Sequence, residues 1–190
     1  KRIKIIHISS DYVFDGIKGD YSEDDPTFPV NYYGKTKLES ENLLIGSNLE
    51  FLIIRPNVLY SNDLSKTHFL SWVVNSLAKR KKIEVVTDQI NNPTYIPDLL
   101  KLISDSILLD FSGIVHIGSE DCMSRYDFAN QISRTFGFES NLIIPIKSSV
   151  LNQEAKRPLN SSLNCNKVRS ELNMELYPVE YGIRRVSLSV

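Results

Sequence analysis

Apolar and polar positions divide the chain into short hydrophobic runs and longer amphipathic stretches, which predicts an α/β protein. The hydrophobic runs are almost free of charged residues, as is typical of parallel strands covered on both faces. The segments between them place apolar residues at helical spacing. The predicted strands cover residues 3–8, 51–54, 83–86, 114–117 and 142–146.

Six helices are predicted between or after these strands. The first contains Tyr33 and ends near Gly46, and the second places Trp72 on its apolar face. The third begins at Pro97, which suits the first turn of a helix, and the fourth begins at the capping residue Ser124. The closing helices are predicted at 167–172 and 179–186. For the third helix, the predicted core positions are Leu99, Leu100, Ile103, Ile107 and Leu108.

Three residue types that suit carbonyl reduction are predicted to converge near the first strand. Ser10 follows the strand, and polar groups at that end of an open α/β sheet face the ligand crevice. Tyr33 and Lys37 are four residues apart, so they share one helix face. A lysine ammonium close to a tyrosine phenol favours the ionised phenol, which suits general acid–base catalysis. The Y-x-x-x-K spacing alone would fit an ordinary solvated pair, and the Ser9–Ser10 segment upstream favours the catalytic interpretation.

Composition and charge exclude several other classes of function. The 190 residues include 22 basic and 23 acidic ones, for a net charge of -1, so the chain has no electrostatic footprint for nucleic acid. The two cysteines and three histidines form no disulfide framework and no metal-binding motif. There is no signal-peptide pattern and no apolar run of bilayer length. We therefore expect a cytoplasmic protein without a membrane partner or a metal site.

Several motifs resemble one branch of the extended short-chain dehydrogenase/reductases. They are SSDYVFDG (9–16), YGKTKLESE (33–41), DQINNPTYIPDL (88–99), GIVHIGSEDCMSRYDFANQI (113–132) and RPLNSSLN (157–164). This pattern is similar to the dTDP-4-dehydrorhamnose reductase, or sugar-nucleotide reductase, branch. The resemblance spans nearly the whole chain. It implies NAD(P)H-dependent reduction of a 4-keto sugar nucleotide, with NADPH or NADH as cofactor, and leaves homodimer formation open.

The resemblance also implies a role for individual residues. Ser10, Tyr33 and Lys37 would be catalytic. The cofactor would be bound by Ser9, Tyr33, Lys37, Pro56 and Asn57. The nucleotide sugar would be bound by Asp11, Tyr12, Val13, Asn92, Thr94 and Arg157. The Asn92–Thr94 segment would equally make a plain turn, and Arg157 would equally suit an exposed loop.

One departure from related sugar-nucleotide dehydratases sharpens the expected reaction. Those enzymes carry an Asp-Glu pair after the strand-end hydroxyl, where this chain has Asp11-Tyr12. The second carboxylate is missing, which favours reduction without elimination of water.

The expected fold is the C-terminal part of a Rossmann-type parallel sheet with a small α+β substrate-binding lobe. Residues 1–90 would form the second half of the NAD(P)-binding domain and residues 91–190 mainly the substrate lobe, with an interleaved boundary. No G-x-G-x-x-G or G-x-x-G-x-x-G motif occurs in the sequence. In the resembled family the pyrophosphate loop lies in the first half of the fold, so we expect a piece of a longer protein that is inactive alone. A complete protein that never binds a dinucleotide is the alternative.

Two other functions stay open at this stage. The same branch includes a non-catalytic regulatory partner of methionine adenosyltransferase, and the motifs do not exclude a sugar-nucleotide-binding or regulatory subunit of that kind. An inert fragment is the third interpretation.

Overall fold

The largest sheet among the described residues is parallel and has three strands. The computed structural model describes residues 3–151 and 153–189. The sheet has the order β1 (Lys4–Ile8), β2 (Glu50–Pro56) and β7 (Gly113–Ile117). β2 is the central strand and is the most deeply buried, as its continuous apolar run requires. The predicted α/β fold with Rossmann-type parallel strands is confirmed.

The described residues also form three small two-stranded sheets. β3 (Leu59–Tyr60) pairs in parallel with β6 (Thr94–Tyr95), and β4 (Ile83–Val86) pairs in parallel with β9 (Ile143–Ile146). β5 (Ile90–Asn91) pairs antiparallel with β8 (Met123–Ser124). These pairings tie the middle of the chain to its C-terminal third.

Six α-helices surround these strands in the part of the chain that the structure describes. Their bounds are α1 Tyr32–Ile45, α2 Phe69–Ala78, α3 Ile96–Leu108, α4 Arg125–Phe136, α5 Asn166–Leu172 and α6 Val179–Ser187. Gly46 ends α1 and left-handed Gly137 ends α4, as their positions in the sequence predict. No helix of residues 3–151 and 153–189 is both long enough and apolar enough to span a membrane.

The hydrophobic core consists of two clusters of buried side chains. The first lies under the parallel sheet and joins residues such as Phe14 and Leu52 to Leu102 and Val168. The second is formed by Tyr60, Leu70, Val73, Phe128, Ile132, Ile183 and their neighbours. Each cluster takes residues from both sides of residue 90. The two-part division at that residue stays a prediction.

The apolar positions predicted for α3 are partly wrong. Leu99 is buried and Ile103 packs against the first cluster, but Leu100, Ile107 and Leu108 are 59%, 60% and 79% exposed. The helix instead buries Leu102 and Ser106. Helical periodicity identified the helix, whereas the face turned to the core depended on what packs against it.

Candidate active site

The carboxyl end of β1 provides the first part of the candidate site. Ser9 and Ser10 follow the strand, and a short 3-10 turn covers Asp11–Val13. The Ser10 hydroxyl donates to the Asp11 carboxylate, with 2.9 Å between Ser10 Oγ and Asp11 Oδ1. The same oxygen accepts the backbone N–H of Tyr12 at 3.2 Å and so caps the turn. These bonds hold Ser10 Oγ at the sheet edge.

Helix α1 brings the tyrosine and the lysine to this edge. The side chain of Asn31 caps the helix by accepting the Gly34 N–H at 2.8 Å. One turn apart, Tyr33 and Lys37 share a face, and Lys37 Nζ lies 5.8 Å from the centroid of the Tyr33 ring. Lys37 Nζ also donates to the Ile8 carbonyl oxygen at 2.9 Å. The lysine therefore fastens the helix to the end of β1.

Gly34 allows α1 to approach the 3-10 turn closely. A Cβ atom at this position would lie 2.1 Å from the Tyr12 carbonyl oxygen and 2.9 Å from the Pro29 Cβ. Only a residue without a side chain fits in that space. The glycine beside Tyr33 thus sets the spacing between the tyrosine helix and the Ser10 turn.

A cleft of about 510 Å³ opens between these elements, and we call it the tyrosine cleft. Its wall includes Ser10, Tyr12, Tyr33, Pro56 and Arg157. The wall also includes two further residues of the β1 end, Ser9 and Asp11. Half of the Tyr33 surface is exposed, so the phenol is accessible. The structure brings the predicted serine and tyrosine to one cleft, while their catalytic role stays a prediction.

A second cleft of about 520 Å³ adjoins the first, and we call it the tryptophan cleft. Phe69, Trp72, Val85 and Gln89 lie in its wall. Trp72 belongs to the apolar face predicted for α2, and 41% of its surface is exposed, so that face is only partly covered by the rest of the protein. The two clefts share the wall residues Val58, Leu59, Arg125 and Arg157, so they are continuous.

A buried charge network lies beneath the tyrosine cleft. Glu41 of α1 and Arg55 of β2 form an ion pair, with Arg55 Nε and Nη2 at 3.0 and 2.6 Å from the two carboxylate oxygens. The Ser9 hydroxyl also donates a hydrogen bond to the Glu41 carboxylate, so this hydroxyl already has a partner within the protein. The network joins the end of β1, helix α1 and strand β2.

His116 of β7 extends this network in its neutral form. Burial, followed by the nearby charge of Arg55, lowers the pKa of His116 to about 3. The His116 Nδ1 lies 3.0 Å from the Tyr21 carbonyl oxygen, and Nε2 lies 3.3 Å from Arg55 Nη1. A neutral ring satisfies both contacts when Nδ1–H donates to Tyr21 and Nε2 accepts from Arg55. The backbone N–H of His116 donates to Glu23 at 2.8 Å, which anchors the acidic loop.

Asp11 is the buried carboxyl group of the tyrosine cleft. Burial raises its pKa to about 6, and the side chains of Ser161 and Ser10 offset part of that effect. Its Oδ2 atom is buried without a hydrogen-bond partner among the described residues. A hydroxyl group of a bound ligand would satisfy this acceptor.

Four of the predicted ligand-binding residues lie away from the clefts. Val13, Asn57, Asn92 and Thr94 are buried and are absent from the described walls of both clefts. The side chains of Asn57 and Asn92 hydrogen-bond to each other at 3.3 Å. The Thr94 hydroxyl donates to a backbone carbonyl of β7 at 3.0 Å. Their described contacts are structural, and their roles in binding stay predictions.

Arg125 lines both clefts and is not among the site residues that the sequence predicts. It is the first residue of α4, directly after the N-cap Ser124. A positive charge in the first turn opposes the helix dipole, so its placement there is unfavourable unless another interaction compensates. This conflict between the arginine charge and the helix dipole is the sequence feature that could have identified Arg125. The capping motif itself involves only Ser124 and Asp127.

Comparison with known proteins identifies the family. The RmlD substrate binding domain matches this chain over residues 1–189. The chain belongs to this family. A crystal structure of dTDP-4-dehydrorhamnose reductase from Bacillus anthracis in complex with NADP superimposes with a TM-score of 0.92 at 28% identity. The match covers 98% of this chain and 66% of that one.

Curated relatives include both reductases and a regulatory subunit. A dTDP-4-dehydrorhamnose reductase from Aggregatibacter actinomycetemcomitans is 35% identical, over 90% of this chain and 62% of its own length. Methionine adenosyltransferase 2 subunit beta from Rattus norvegicus is 31% identical, over 95% of this chain and 56% of its own length. The chain therefore spans about three fifths of the length of these relatives. Both functions expected from the sequence resemblance are represented in the family.

Proposed function

We propose that this chain supplies the catalytic tyrosine and the sugar-nucleotide site of an NAD(P)H-dependent reductase. Its substrate is a 4-keto sugar nucleotide, dTDP-4-dehydrorhamnose, and its product is dTDP-rhamnose. The observation that carries the proposal is the opening of Ser10 and Tyr33 into one cleft, with the Lys37 ammonium fixed 5.8 Å from the tyrosine ring. The similarity to reductases over 90% of the chain supports it.

The donor groups at the β1 end fit the nicotinamide end of the cofactor. The crevice at the carboxyl edge of a parallel sheet is where open α/β folds bind such ligands, and Pro56 ends the neighbouring strand there. Tyr33 and Lys37 would hold the ribose next to the nicotinamide. When bound, the cofactor supplies the hydride that reduces the carbonyl carbon.

The residues of the chain then manage the carbonyl oxygen. As negative charge develops on that oxygen, the Tyr33 phenol gives it a proton, and the Ser10 hydroxyl orients it by a hydrogen bond. The Lys37 ammonium stabilises the phenolate that remains. In the sequence, Asp11 is followed by Tyr12 rather than by a second carboxylate. The turn after β1 therefore offers no pair of carboxylates to act as acid and base in eliminating water.

Replacement of Tyr33 by phenylalanine tests this assignment. Tyr33→Phe keeps the ring but removes the proton donor, so kcat of the whole protein with NADPH should fall by about 10²- to 10⁴-fold. The affinity for dTDP should change little, because the phenol acts on the sugar carbonyl. Tyr177→Phe is the matched control, since Tyr177 lies in neither described cleft wall. Equal kcat in Tyr33→Phe and the unchanged protein would assign the proton to another group.

A regulatory subunit is the second candidate function, favoured by the 31% identity to methionine adenosyltransferase 2 subunit beta over 95% of the chain. Under this function, the chain binds a methionine adenosyltransferase through its surface and turns over no keto sugar. Co-elution with a purified methionine adenosyltransferase, together with no oxidation of NADPH in the presence of dTDP-4-dehydrorhamnose, would favour it. Turnover that depends on Tyr33 would exclude it.

A further inference from the structure

A histidine caps the N-terminus of helix α2. His68 is the N-cap residue, and its Nδ1 accepts the backbone N–H of Ser71 at 3.2 Å. In return, the Ser71 hydroxyl oxygen accepts the His68 N–H at 3.0 Å, which completes a capping box. Serine, threonine, aspartate and asparagine are the usual residues at an N-cap. Unlike those side chains, an imidazole takes up a proton close to neutral pH.

The contacts of the second ring nitrogen fix the protonation state of this cap. His68 Nε2 lies 3.3 Å from the Asp63 carbonyl oxygen and 3.4 Å from Ser61 Oγ. A neutral ring with its hydrogen on Nε2 donates towards these oxygens and leaves Nδ1 free to accept from Ser71. Protonation would place a second N–H on Nδ1, facing the Ser71 N–H, and a positive charge at the positive end of the helix dipole. The cap therefore requires the neutral ring.

The charged groups around His68 act on this protonation from several elements. Asp63 and Lys66 belong to the loop before the helix, and the wall of the tryptophan cleft adds Glu84 of β4 together with Arg125 and Arg157. Burial lowers the pKa of His68, and the contacts with the Asp63 carbonyl and carboxylate offset part of that effect. Neutral His68 is thus the form that the folded protein favours at neutral pH.

The helical turn that His68 caps carries the aromatic wall of the tryptophan cleft. Phe69 follows the cap directly, and the Trp72 N–H donates to the His68 carbonyl oxygen at 3.0 Å. The ring centroids of Phe69 and Trp72 lie 5.6 Å apart, and both side chains line the cleft beside His68. Because Trp72 is only partly covered by the rest of the protein, its position depends on this first turn.

We propose that His68 is a positioning residue that holds the aromatic wall of the tryptophan cleft in place while its imidazole is neutral and releases it on protonation. In the protonated protein, the first turn of α2 loses its cap and frays, so Phe69 and Trp72 no longer keep one arrangement. The cleft is thus formed at neutral pH and loosened in mild acid. The inference concerns the shape of the cleft and holds for either of the two proposed functions.

The fluorescence of Trp72 tests the inference in the protein without any ligand. Trp72 is the only tryptophan of the 190-residue chain, so its emission reports directly on this wall. Between about pH 8 and about pH 5, we expect the emission to change with the uptake of one proton. The midpoint should lie below about 6.5, the usual pKa of histidine, because burial lowers the pKa of His68. In NMR spectra, the amide resonance of Ser71 should shift with the same midpoint.

Two substitutions of His68 separate its positioning role from a direct effect of the imidazole on the fluorescence. His68→Asn keeps a capping side chain that does not titrate, so the transition in Trp72 emission should be lost. His68→Ala removes the cap at every pH, so its emission at about pH 8 should match that of the unchanged protein at about pH 5. At this lower pH, the Ser71 amide should exchange with solvent about 2- to 30-fold faster in the unchanged protein than in His68→Asn, the range that corresponds to the free energy of an N-cap side chain.

His7→Asn is the matched control. His7 lies in β1 and is absent from the described wall of the tryptophan cleft, so this variant should keep the transition of the unchanged protein.

The outcomes of these measurements decide the inference without reference to catalysis. It is overturned if the transition persists in His68→Asn, or if His68→Ala at about pH 8 keeps the emission of the unchanged protein at that pH. A change in emission without a shift of the Ser71 amide would mean that the imidazolium only quenches Trp72, which also overturns the inference. Failure of Tyr33-dependent reduction would overturn the proposed reductase activity and leave the role of His68 intact, since neither substrate nor cofactor is present here.

Discussion

Asp11 shows how burial changes the chemistry of a single residue in the site. Its carboxyl group is buried beside Ser10, and burial raises its pKa to about 6, against about 3.9 for an unfolded chain. The folded state therefore favours the protonated form. The free energy of unfolding should fall as the pH rises from about 4 to about 6, because the folded protein must then hold a buried charge.

Asp11→Asn should remove this pH dependence. The variant should be more stable than the unchanged protein above pH 6 by up to about 3 kcal/mol, at about 1.36 kcal/mol per pKa unit, and the difference should vanish near pH 4. Urea unfolding at about pH 4 and about pH 7.5 measures it. Asp24→Asn, at an exposed position, is the control and should show no such difference. A constant stability difference at both pH values would contradict the assigned pKa.

Glu41 and Arg55 form the most deeply buried ion pair of the described residues, with side chains 0% and 3% exposed. Glu41→Gln leaves the Arg55 charge buried without its counter-charge, and we expect a loss of about 3 to 5 kcal/mol in the free energy of unfolding. Denaturant unfolding provides the measurement. The exposed pair Lys101–Asp105 gives the comparison, since Asp105→Asn should cost about 1 kcal/mol or less. A cost for Glu41→Gln as small as that would show that the pair is not needed for stability.

At the scale of elements, the contact between α1 and the 3-10 turn positions the site. Gly34→Ala would place a methyl group 2.1 Å from the Tyr12 carbonyl oxygen, so the helix must move away from the turn. We expect a loss of about 1 to 3 kcal/mol in stability, as for overpacked cores. A fall in kcat should accompany it, because Tyr33 and Ser10 move apart.

Gly46→Ala is the matched control for this substitution. Gly46 ends the same helix with a right-handed backbone, and an added Cβ would meet only the Asn42 carbonyl oxygen at 3.3 Å. Its stability and kcat should change little. Similar losses in the two variants would mean that the helix itself, rather than its approach to the turn, is responsible. Urea unfolding and steady-state kinetics on both variants decide between these outcomes.

At the scale of the whole molecule, the two hydrophobic clusters interleave the chain. Phe14 and Leu52 share a cluster with Leu102 and Val168, and Tyr60 shares the other with Ile183. Segments 1–90 and 91–190 therefore each contain incomplete cores. Expressed separately, neither segment should show cooperative unfolding by circular dichroism, whereas the chain of 190 residues should unfold in one transition. A cooperative transition in either segment alone would establish residue 90 as a true domain boundary.

Local patterns in the sequence determined the elements, the family resemblance and the candidate catalytic residues. Continuous apolar runs identified the parallel strands, since a strand covered on both faces excludes polar residues. The spacing of Tyr33 and Lys37 placed them on one helix face, because that relation depends only on the period of the α-helix. Each of these inferences involves residues close together in the chain.

Only the tertiary structure decided which surfaces meet. The exposure of Leu100 and Trp72, the burial of Asn57, and the position of Arg125 between the two clefts all depend on elements distant in sequence. A periodic pattern shows that a helix has an apolar side, but the degree of burial follows from the neighbours that cover it.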